Sequence, residues 1–330
     1  MSIGLIDVDS KLPNLALMKI SSFYKQQGVD VEFILPDKKY NKIYVSCLFT
    51  WNKHECEKIL KVYPDAEIGG TGWDIEKTLP PEVETMKPDY DLYTPEIIYQ
   101  RSSVGGIASK EHKVKKAEII FNMGIGFTSR GCIRNCGFCF VPRKEGKLHQ
   151  VAEIKDIINP RSNIITLYDN NLTADPDVID KLHEIRDRGL KVNISQGIDV
   201  RIMTPEKAKA LSEVKHLRSL HYAWDLMEHE DKVIEGIKLL KERVKPWKHM
   251  CYVLVGYNTT FEEDMYRVKK LVELGITPYI MKYNKRTDDP RLNHFSRWVI
   301  GHFHKTCEWE EYDPWKKHQK IQGYEQIGFM

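Results

Sequence analysis

The chain has 330 residues, 29% of them charged, and a formal net charge of only +3. This balance excludes the strongly basic composition of a dedicated nucleic-acid-binding protein, although it does not exclude local basic patches. The length allows two domains or one large α/β domain. No apolar run is long enough to span a membrane, and residues 1–9 lack the basic region and apolar core of a secretory signal.

The number and spacing of the cysteines indicate the cellular compartment. There are seven, an odd number, and three of them lie close together in one stretch. This usage is typical of a reducing cytoplasm rather than of a disulfide framework. We therefore expect a cytoplasmic protein that has no membrane partner.

The first part of the chain alternates strand-like and helix-like patterns. Short apolar runs predict strands at 3–8, 29–35, 42–49 and 66–70, and helical spacing predicts helices at 14–27 and 53–62. This alternation predicts a parallel sheet with crossover helices, so we assign residues 1–75 to a small doubly wound, Rossmann- or flavodoxin-like α/β domain. Its ligand crevice would lie at the carboxyl ends of the strands.

Two segments interrupt the periodicity after this domain. Residues 78–91 are rich in proline and acidic residues, and residues 102–116 are polar and basic. The first segment predicts a linker, and the second predicts a loop or an exposed hairpin. We assign residues 76–119 to the linker.

Six strand-like runs then alternate with helical patterns. The strands are expected at 124–128, 163–168, 191–195, 218–223, 250–256 and 277–282, with helices at 150–159, 176–189, 205–214, 229–243 and 260–274. Repeated βα units predict a partial (β/α)6 TIM-like barrel, which we assign to residues 120–285, with residues 286–330 as a C-terminal extension. Polar residues at the carboxyl ends of the strands are therefore the functional candidates.

Three cysteines follow the first strand of this core. Cys132, Cys136 and Cys139 have C-x3-C-x2-C spacing, and thiolates this close in one loop can bind a single soft metal centre. A structural zinc site needs four protein ligands, whereas a cubane iron–sulfur cluster held by three cysteines keeps one iron open. The alternatives are a zinc knuckle completed by His149, or three unrelated buried cysteines.

The spacing, with Phe138 before the third cysteine, resembles the signature of the radical S-adenosylmethionine (radical SAM) superfamily. The resemblance implies a [4Fe–4S] cluster on the three catalytic cysteines, whose open iron binds the amino and carboxylate groups of S-adenosylmethionine. It implies that one electron, from a donor such as flavodoxin or ferredoxin, cleaves this cofactor to a 5′-deoxyadenosyl radical. The radical would then modify an unidentified substrate. Phe138 and Phe140 would shield the cluster from water.

Six polar candidates follow the second and third core strands: Asp169, Asn170, Asn171, Gln196, Asp199 and Arg201. The first three match by position the superfamily's "G-G-E" element for the cofactor's amine, with a helix-capping Asx turn as the alternative. Arg201 offers a bidentate fork for a carboxylate, unless it braces the loop through an ion pair with Asp199. Gln196 and Asp199 would hold ribose hydroxyls or substrate.

The fourth and fifth strands add Trp224, Asp225 and Gly256. Trp224 would either stack on a planar ligand or belong to the core. Gly256 precedes a helix start rich in threonine and glutamate, which resembles the superfamily's adenine-side element. An ordinary helix N-terminus would explain the acidic residues, but it would not require Gly256.

The N-terminal domain partly resembles the cobalamin-binding domain of one radical SAM subgroup. The D-x-H-x-x-G loop of that family falls at residues 7–12, where the histidine and the glycine are missing, although Ser46, Leu48 and Gly69–Gly70 match other elements. Without the histidine no imidazole can ligate cobalt. We therefore expect a degenerate domain used for docking or packing, and a cobalamin-dependent methyltransferase is the alternative.

Other function classes stay open at this point. A zinc or iron–sulfur binding module would carry the same cysteines without catalysis. A methylthiotransferase acting on RNA is less favoured, because that family has another three-cysteine cluster before the core and only Cys47 and Cys56 precede it here. The substrate and the reaction that follows radical formation have no recognisable motif.

Overall fold

The computed structural model describes residues 1–101, 110–245, 248–285 and 289–315. The elements of the N-terminal part are β1 (Ser2–Asp7), α1 (Leu15–Gln26), β2 (Asp30–Phe33), β3 (Lys42–Ser46), α2 (Lys53–Val62) and β4 (Glu67–Gly69). The four strands form one parallel sheet in the order β2-β1-β3-β4. The predicted parallel sheet and both of its helices are confirmed.

Local sequence fixes the ends of α1. The Asn14 side chain accepts a hydrogen bond from the Leu17 amide (3.1 Å) and caps the first turn. Gly28, just beyond the helix, has a φ of +73°, which a residue with a side chain rarely adopts. Leu17 and Met18 are buried in the same apolar cluster as β1, so α1 covers one face of the sheet.

Three helices connect this sheet to the core: α3 (Pro81–Glu84), α4 (Pro95–Arg101) and α5 (Lys110–Asn122). The loop predicted for residues 102–116 is wrong from Lys110 onward, and residues 102–109 lie outside the described residues. The reason is packing, because α5 buries Ala117 and Ile120 in the N-terminal core cluster while its lysines face solvent. Strong helix formers on an exposed face look like a polar loop in sequence.

The core begins with short elements around the cysteines and continues with regular βα units. These are β5 (Gly124–Gly126), β6 (Ser129–Arg130), α6 (Val141–Glu145), β7 (His149–Gln150), α7 (Ile154–Ile157), β8 (Ile164–Leu167), α8 (Val178–Asp187), β9 (Lys191–Ile194), α9 (Pro205–Glu213), β10 (Lys215–His216), β11 (Leu220–Ala223), α10 (Glu230–Lys241), β12 (His249–Val255), α11 (Phe261–Glu273), β13 (Thr277–Lys282) and α12 (Pro290–Ile300). All six predicted strands are present. The β6–β7 hairpin and β10 were not expected.

The core strands form two parallel sheets, ordered β10-β9-β8-β5 and β11-β12-β13. A backbone hydrogen bond connects them where the chain after β9 approaches β11: the Ile198 amide donates to the His221 carbonyl at 2.8 Å. The fold is thus α/β with parallel sheets. None of the helices in the described part is long and apolar enough to cross a membrane.

The largest apolar cluster lies between these sheets and their helices. It includes alternate residues of β8, β9, β11 and β12, and it extends to Phe295 and Trp298 of α12. The start of the predicted C-terminal extension therefore packs against the core. Residues 286–288 and 316–330 of that extension lie outside the described residues.

Candidate active site

The cysteines occupy a loop enclosed by the β6–β7 hairpin, and the loop backbone leaves no room for a side chain at Gly131. This residue has a φ of +80°, and a Cβ there would lie 2.3 Å from the Lys147 carbonyl oxygen. Only glycine meets both conditions. The Cys132 amide donates to the Gly146 carbonyl (3.2 Å), so both ends of the cysteine loop are held together.

Asp169, buried beneath β6, anchors the start of the loop. Its carboxylate accepts hydrogen bonds from the amides of Thr128 (3.0 Å) and Ser129 (2.6 Å) and from both of their hydroxyl groups. Because it is fully buried and has four protein donors, this carboxylate positions the loop. Asn170 adds an acceptor for the Gly131 amide (2.9 Å).

The Cys132 sulfur receives two polar donors. The Arg134 amide lies 3.3 Å from this sulfur and the Asn171 side-chain nitrogen 3.4 Å from it. Hydrogen bonds to a cysteine sulfur help to orient the side chain. Asn171 therefore contacts the cysteine loop directly, as its predicted place at a strand end requires.

Cys136 and Cys139 are half-buried in the same loop, and burial raises the pKa of both thiols. The Arg201 guanidinium opposes this rise at Cys136. Phe138 packs edge-to-face on Tyr257, with ring centroids 5.4 Å apart. Phe140 is 55% exposed, so it does not shield the loop as expected from the sequence.

Asp199 and Arg201 form an ion pair with two contacts. Arg201 Nε lies 2.7 Å from Oδ1 of Asp199 and its Nη2 lies 3.0 Å from Oδ2, while Arg134 of the cysteine loop donates to Oδ2 at 3.0 Å. Burial alone would raise the pKa of Asp199, but these hydrogen bonds and positive charges hold it below its ordinary value. The bracing alternative for Arg201 is thus observed. The pair also links the β9 loop to the cysteine loop.

Asp225 and Trp224 have different environments at the end of β11. Burial raises the pKa of Asp225 to about 6, and its charge acts on Cys136 and Cys139. No described residue donates a hydrogen bond to its carboxylate. Trp224 is 0% exposed and its indole nitrogen donates to the Leu226 carbonyl (3.1 Å). Of the two alternatives for Trp224, stacking on a ligand or a place in the core, the structure shows the core.

Gln196 and Gly256 complete the predicted set. Gln196 is exposed beyond β9. Gly256 has a φ of +74° and turns the chain at the end of β12, which places Tyr257 beside the cysteine loop. A Cβ at Gly137 would lie 2.8 Å from the Tyr257 hydroxyl, so this tyrosine covers the loop at close range.

Two site residues were missed in the sequence. Arg134 lies between the first two cysteines, and that position was the only available signal. Arg267 is buried in α11, where its guanidinium donates to the carbonyls of Trp224 (2.6 Å), Asp225 (2.9 Å) and Leu254 (2.8 Å). It therefore joins the ends of β11 and β12 beneath Asp225.

The donor set suits an iron–sulfur cluster by its chemistry, since three soft thiols share one loop. Within residues 1–101, 110–245, 248–285 and 289–315, however, no group of three or more His, Cys, Asp or Glu side chains is arranged so that it could hold a metal ion. His149 is exposed, with Nδ1 2.9 Å from the Lys147 carbonyl oxygen. Metal ligation by the loop stays a prediction.

The carboxyl edge of the N-terminal sheet is closed by its own side chains. Asp7 accepts from the Tyr93 hydroxyl (2.6 Å) and pairs with Arg101 (3.1 Å). Asp9 accepts from the amides of Leu48 (2.8 Å) and Phe49 (2.9 Å). Both acids of the loop that resembles the cobalamin-binding element thus have structural partners.

Comparison with known proteins gives one curated relative. The chain is 24% identical over 231 residues to tRNA-2-methylthio-N(6)-dimethylallyladenosine synthase of Aquifex aeolicus (strain VF5), with 59% of the chain and 52% of that protein covered. Its similarity and the cysteine signature point to the same family. Both findings support the radical SAM superfamily for this chain. It spans about half the length of the curated relative it matches.

No family model matches this chain. Among solved structures it is similar to Streptococcus suis SuiB bound to the precursor peptide SuiA, with a TM-score of 0.39 and 14% identity over 77% of this chain and 60% of that one. SuiB bound to S-adenosylmethionine gives a TM-score of 0.38 and 14% identity, covering 62% of this chain and 56% of SuiB. These TM-scores are too low to define the fold.

Proposed function

We propose that this chain reductively cleaves S-adenosylmethionine and uses the 5′-deoxyadenosyl radical to modify a substrate by hydrogen abstraction. Cys132, Cys136 and Cys139 would hold the [4Fe–4S] cluster. When bound, this cluster supplies the electron for cleavage and an open iron for the cofactor's amino and carboxylate groups. The half-exposed cysteine loop at the carboxyl ends of the core strands carries the proposal.

The residues around the loop prepare it for ligation. Asp169 fixes its start, and the N–H groups of Arg134 and Asn171 donate to the Cys132 sulfur. The positive charge of Arg201 acts to lower the pKa of Cys136, against the effect of burial. These contacts fix the start of the loop and the Cys132 side chain, while the three thiols would still have to converge when a cluster binds.

The cofactor would lie between the loop and the ends of β9, β11 and β12. We assign its ammonium group to Asp225 rather than to Asp169, because the Asp225 carboxylate has no hydrogen bond from the described residues whereas Asp169 has four. Gln196 is exposed for ribose hydroxyls, and the turn at Gly256 would admit the adenine. The ion pair of Asp199 and Arg201 would position the cysteine loop through Arg134.

The domain division is part of the proposal. Residues 120–285 would form a partial (β/α)6 barrel from β5, β8, β9, β11, β12 and β13, flanked by the domain 1–75, the linker 76–119 and the extension 286–330. The linker reaches the cysteine region, since Arg143 pairs with Glu76 (3.1 Å) and the Lys144 amine donates to the Lys77 carbonyl (2.7 Å). This contact supports a docking or packing role for the N-terminal domain, without cobalamin.

Modification of an RNA nucleoside is the second candidate. The observation in its favour is the name of the curated relative, a tRNA-2-methylthio-N(6)-dimethylallyladenosine synthase. Cys47 and Cys56, which precede the cysteine loop in this sequence, are buried in the N-terminal cluster, and this burial disfavours their use in a second cluster for methylthio transfer. Transfer RNA added to the assay below would raise 5′-deoxyadenosine formation if RNA is the substrate.

The test is anaerobic reconstitution with iron and sulfide, followed by dithionite reduction with S-adenosylmethionine. We expect wild type to produce 5′-deoxyadenosine and Cys136→Ala to produce none. The matched control is Cys251→Ala, in a strand buried away from the loop, which should retain the product. Purified protein that carries zinc without acid-labile sulfide, and makes no product, would instead support a binding module.

A further inference from the structure

One face of the second core sheet carries a row of polar aromatic side chains. His221, Tyr252 and Tyr279 lie on the adjacent strands β11, β12 and β13. Their neighbours along the strands pack in the large apolar cluster under the helices. Because successive strand residues point to opposite faces, these three rings share the face turned away from the helices.

The His221 ring contacts the Tyr252 ring, which in turn contacts the Tyr279 ring. The ring centroids of His221 and Tyr252 are 5.6 Å apart, as are those of Tyr252 and Tyr279, and both pairs pack edge-to-face. The Tyr252 hydroxyl lies 3.4 Å from Nδ1 of His221. The row is therefore one continuous surface across three strands.

His221 has an unused polar atom within this row. Its side chain is 92% buried and Nε2 has no hydrogen-bond partner among the described residues. Buried polar atoms are nearly always paired, so an orphan of this kind requires an explanation. A bound ligand that contacts Nε2 would supply one.

The protonation of the row follows from its contacts. Burial lowers the pKa of His221 to about 4, so the ring is neutral near pH 7, and burial raises the pKa of Tyr252 to about 12, so its phenol keeps the proton. The phenol can then donate to Nδ1, which places the imidazole proton on Nε2. Nε2 is then a buried hydrogen-bond donor that has no acceptor among the described residues.

The row lies on the route to the proposed cofactor site. Asp225 follows His221 by four residues on the same chain segment, or about 13 Å of extended strand. The residue between them on this face is Ala223, whose small side chain leaves the path clear. A group bound at the row would therefore extend toward the cysteine loop.

We propose that His221, Tyr252 and Tyr279 form the substrate-binding face of this enzyme. It takes a planar, uncharged group with a carbonyl oxygen or ring nitrogen that accepts a hydrogen bond from His221 Nε2. Ring surfaces favour a planar partner, and a neutral donor favours an uncharged acceptor. This inference rests on the proposed function, since it describes the substrate side of the same site.

Nicotinamide, a planar uncharged ring with an amide carbonyl, is the probe. Saturation-transfer NMR on the reconstituted full chain with S-adenosylmethionine should show binding in wild type and in the surface control His183→Phe. Binding should be roughly fivefold weaker or lost in His221→Phe, as expected for one hydrogen bond. No binding in wild type, or equal binding in His221→Phe, would overturn the assignment.

A second measurement does not depend on the probe. Nitrogen-15 shifts of labelled histidine should show His221 protonated on Nε2, and Tyr252→Phe, which removes only the hydroxyl, should populate both tautomers. Proton occupancy on Nδ1 in wild type would contradict the inference. Formation of 5′-deoxyadenosine in the same samples tests the proposed function separately, because it does not require the substrate face.

Discussion

The two carboxyl edges of the parallel sheets carry similar residue types but use them differently. At the N-terminal edge, Asp7 and Asp9 have partners in Tyr93, Arg101 and backbone amides. At the core edge, Asp225 has no hydrogen-bond donor among the described residues and the three thiols are half-exposed. Topology thus marks both edges as places where a site can form, and the unpartnered polar groups favour the core edge, where we propose one.

The largest expected effect concerns the support of the core edge. Arg267→Met removes a fully buried guanidinium that joins β11 to β12 and leaves Asp264 as an unpaired buried charge. We expect the free energy of unfolding to fall by about 3–5 kcal/mol. Urea denaturation measures this, and the exposed Arg188→Met should change it by less than about 1 kcal/mol. Equal losses would show that the core edge needs no such support.

The second prediction concerns pH and the buried imidazole of the core. The folded-state pKa of His221 is about 4, below the unfolded value near 6.5, so the unfolded chain binds the proton first as pH falls. Its contribution to stability is complete above pH 6.5 and is lost toward pH 4. His221→Phe should therefore remove roughly 2–3 kcal/mol of the acid-dependent loss of stability.

Urea unfolding at a series of pH values between 4.5 and 7.5 measures this change. The control is His183→Phe on the surface of α8, which should keep the wild-type slope. A His221→Phe variant with the wild-type slope over the same pH range would mean that the ring is not buried neutral.

The third prediction separates steric contact from backbone conformation in the cysteine loop. Gly131 and Gly146 both have positive φ, but only a Cβ at Gly131 would meet the Lys147 carbonyl, while one at Gly146 has no atom within 4 Å. Gly146→Ala should cost about 1–2 kcal/mol, and Gly131→Ala roughly 1–3 kcal/mol more. Iron content after reconstitution should fall for Gly131→Ala alone, and equal iron in both variants would contradict the close packing.

The smallest expected effect contrasts two acids, the half-buried Asp9 and the buried Asp199. Asp9→Ala leaves two loop amides without their acceptor and should reduce stability by about 1–2 kcal/mol, without changing 5′-deoxyadenosine formation. Asp199→Ala should reduce stability to a similar extent, but it should also slow product formation because it releases Arg134 of the cysteine loop. A loss of product in Asp9→Ala would show that the N-terminal edge takes part in radical initiation.

The helices and strands could be predicted from the sequence because the spacing of apolar residues indicates which positions are buried. All six core strands were found in this way, whereas the cysteine loop was recognised by the spacing of its cysteines. Asp169 and Trp224 could not be placed, since a strand-end residue has the same pattern whether it faces a cofactor or the protein interior. Arg267 resembled a surface charge on α11, because its buried partners come from other strands.

The central claim is that the cysteine loop holds a cluster whose open iron binds S-adenosylmethionine. Electron paramagnetic resonance of the reconstituted, dithionite-reduced protein, with and without the cofactor, tests it most directly. We expect a reduced [4Fe–4S] signal that shifts when S-adenosylmethionine is added and is absent in Cys136→Ala. A cluster signal that the cofactor leaves unchanged would contradict the claim.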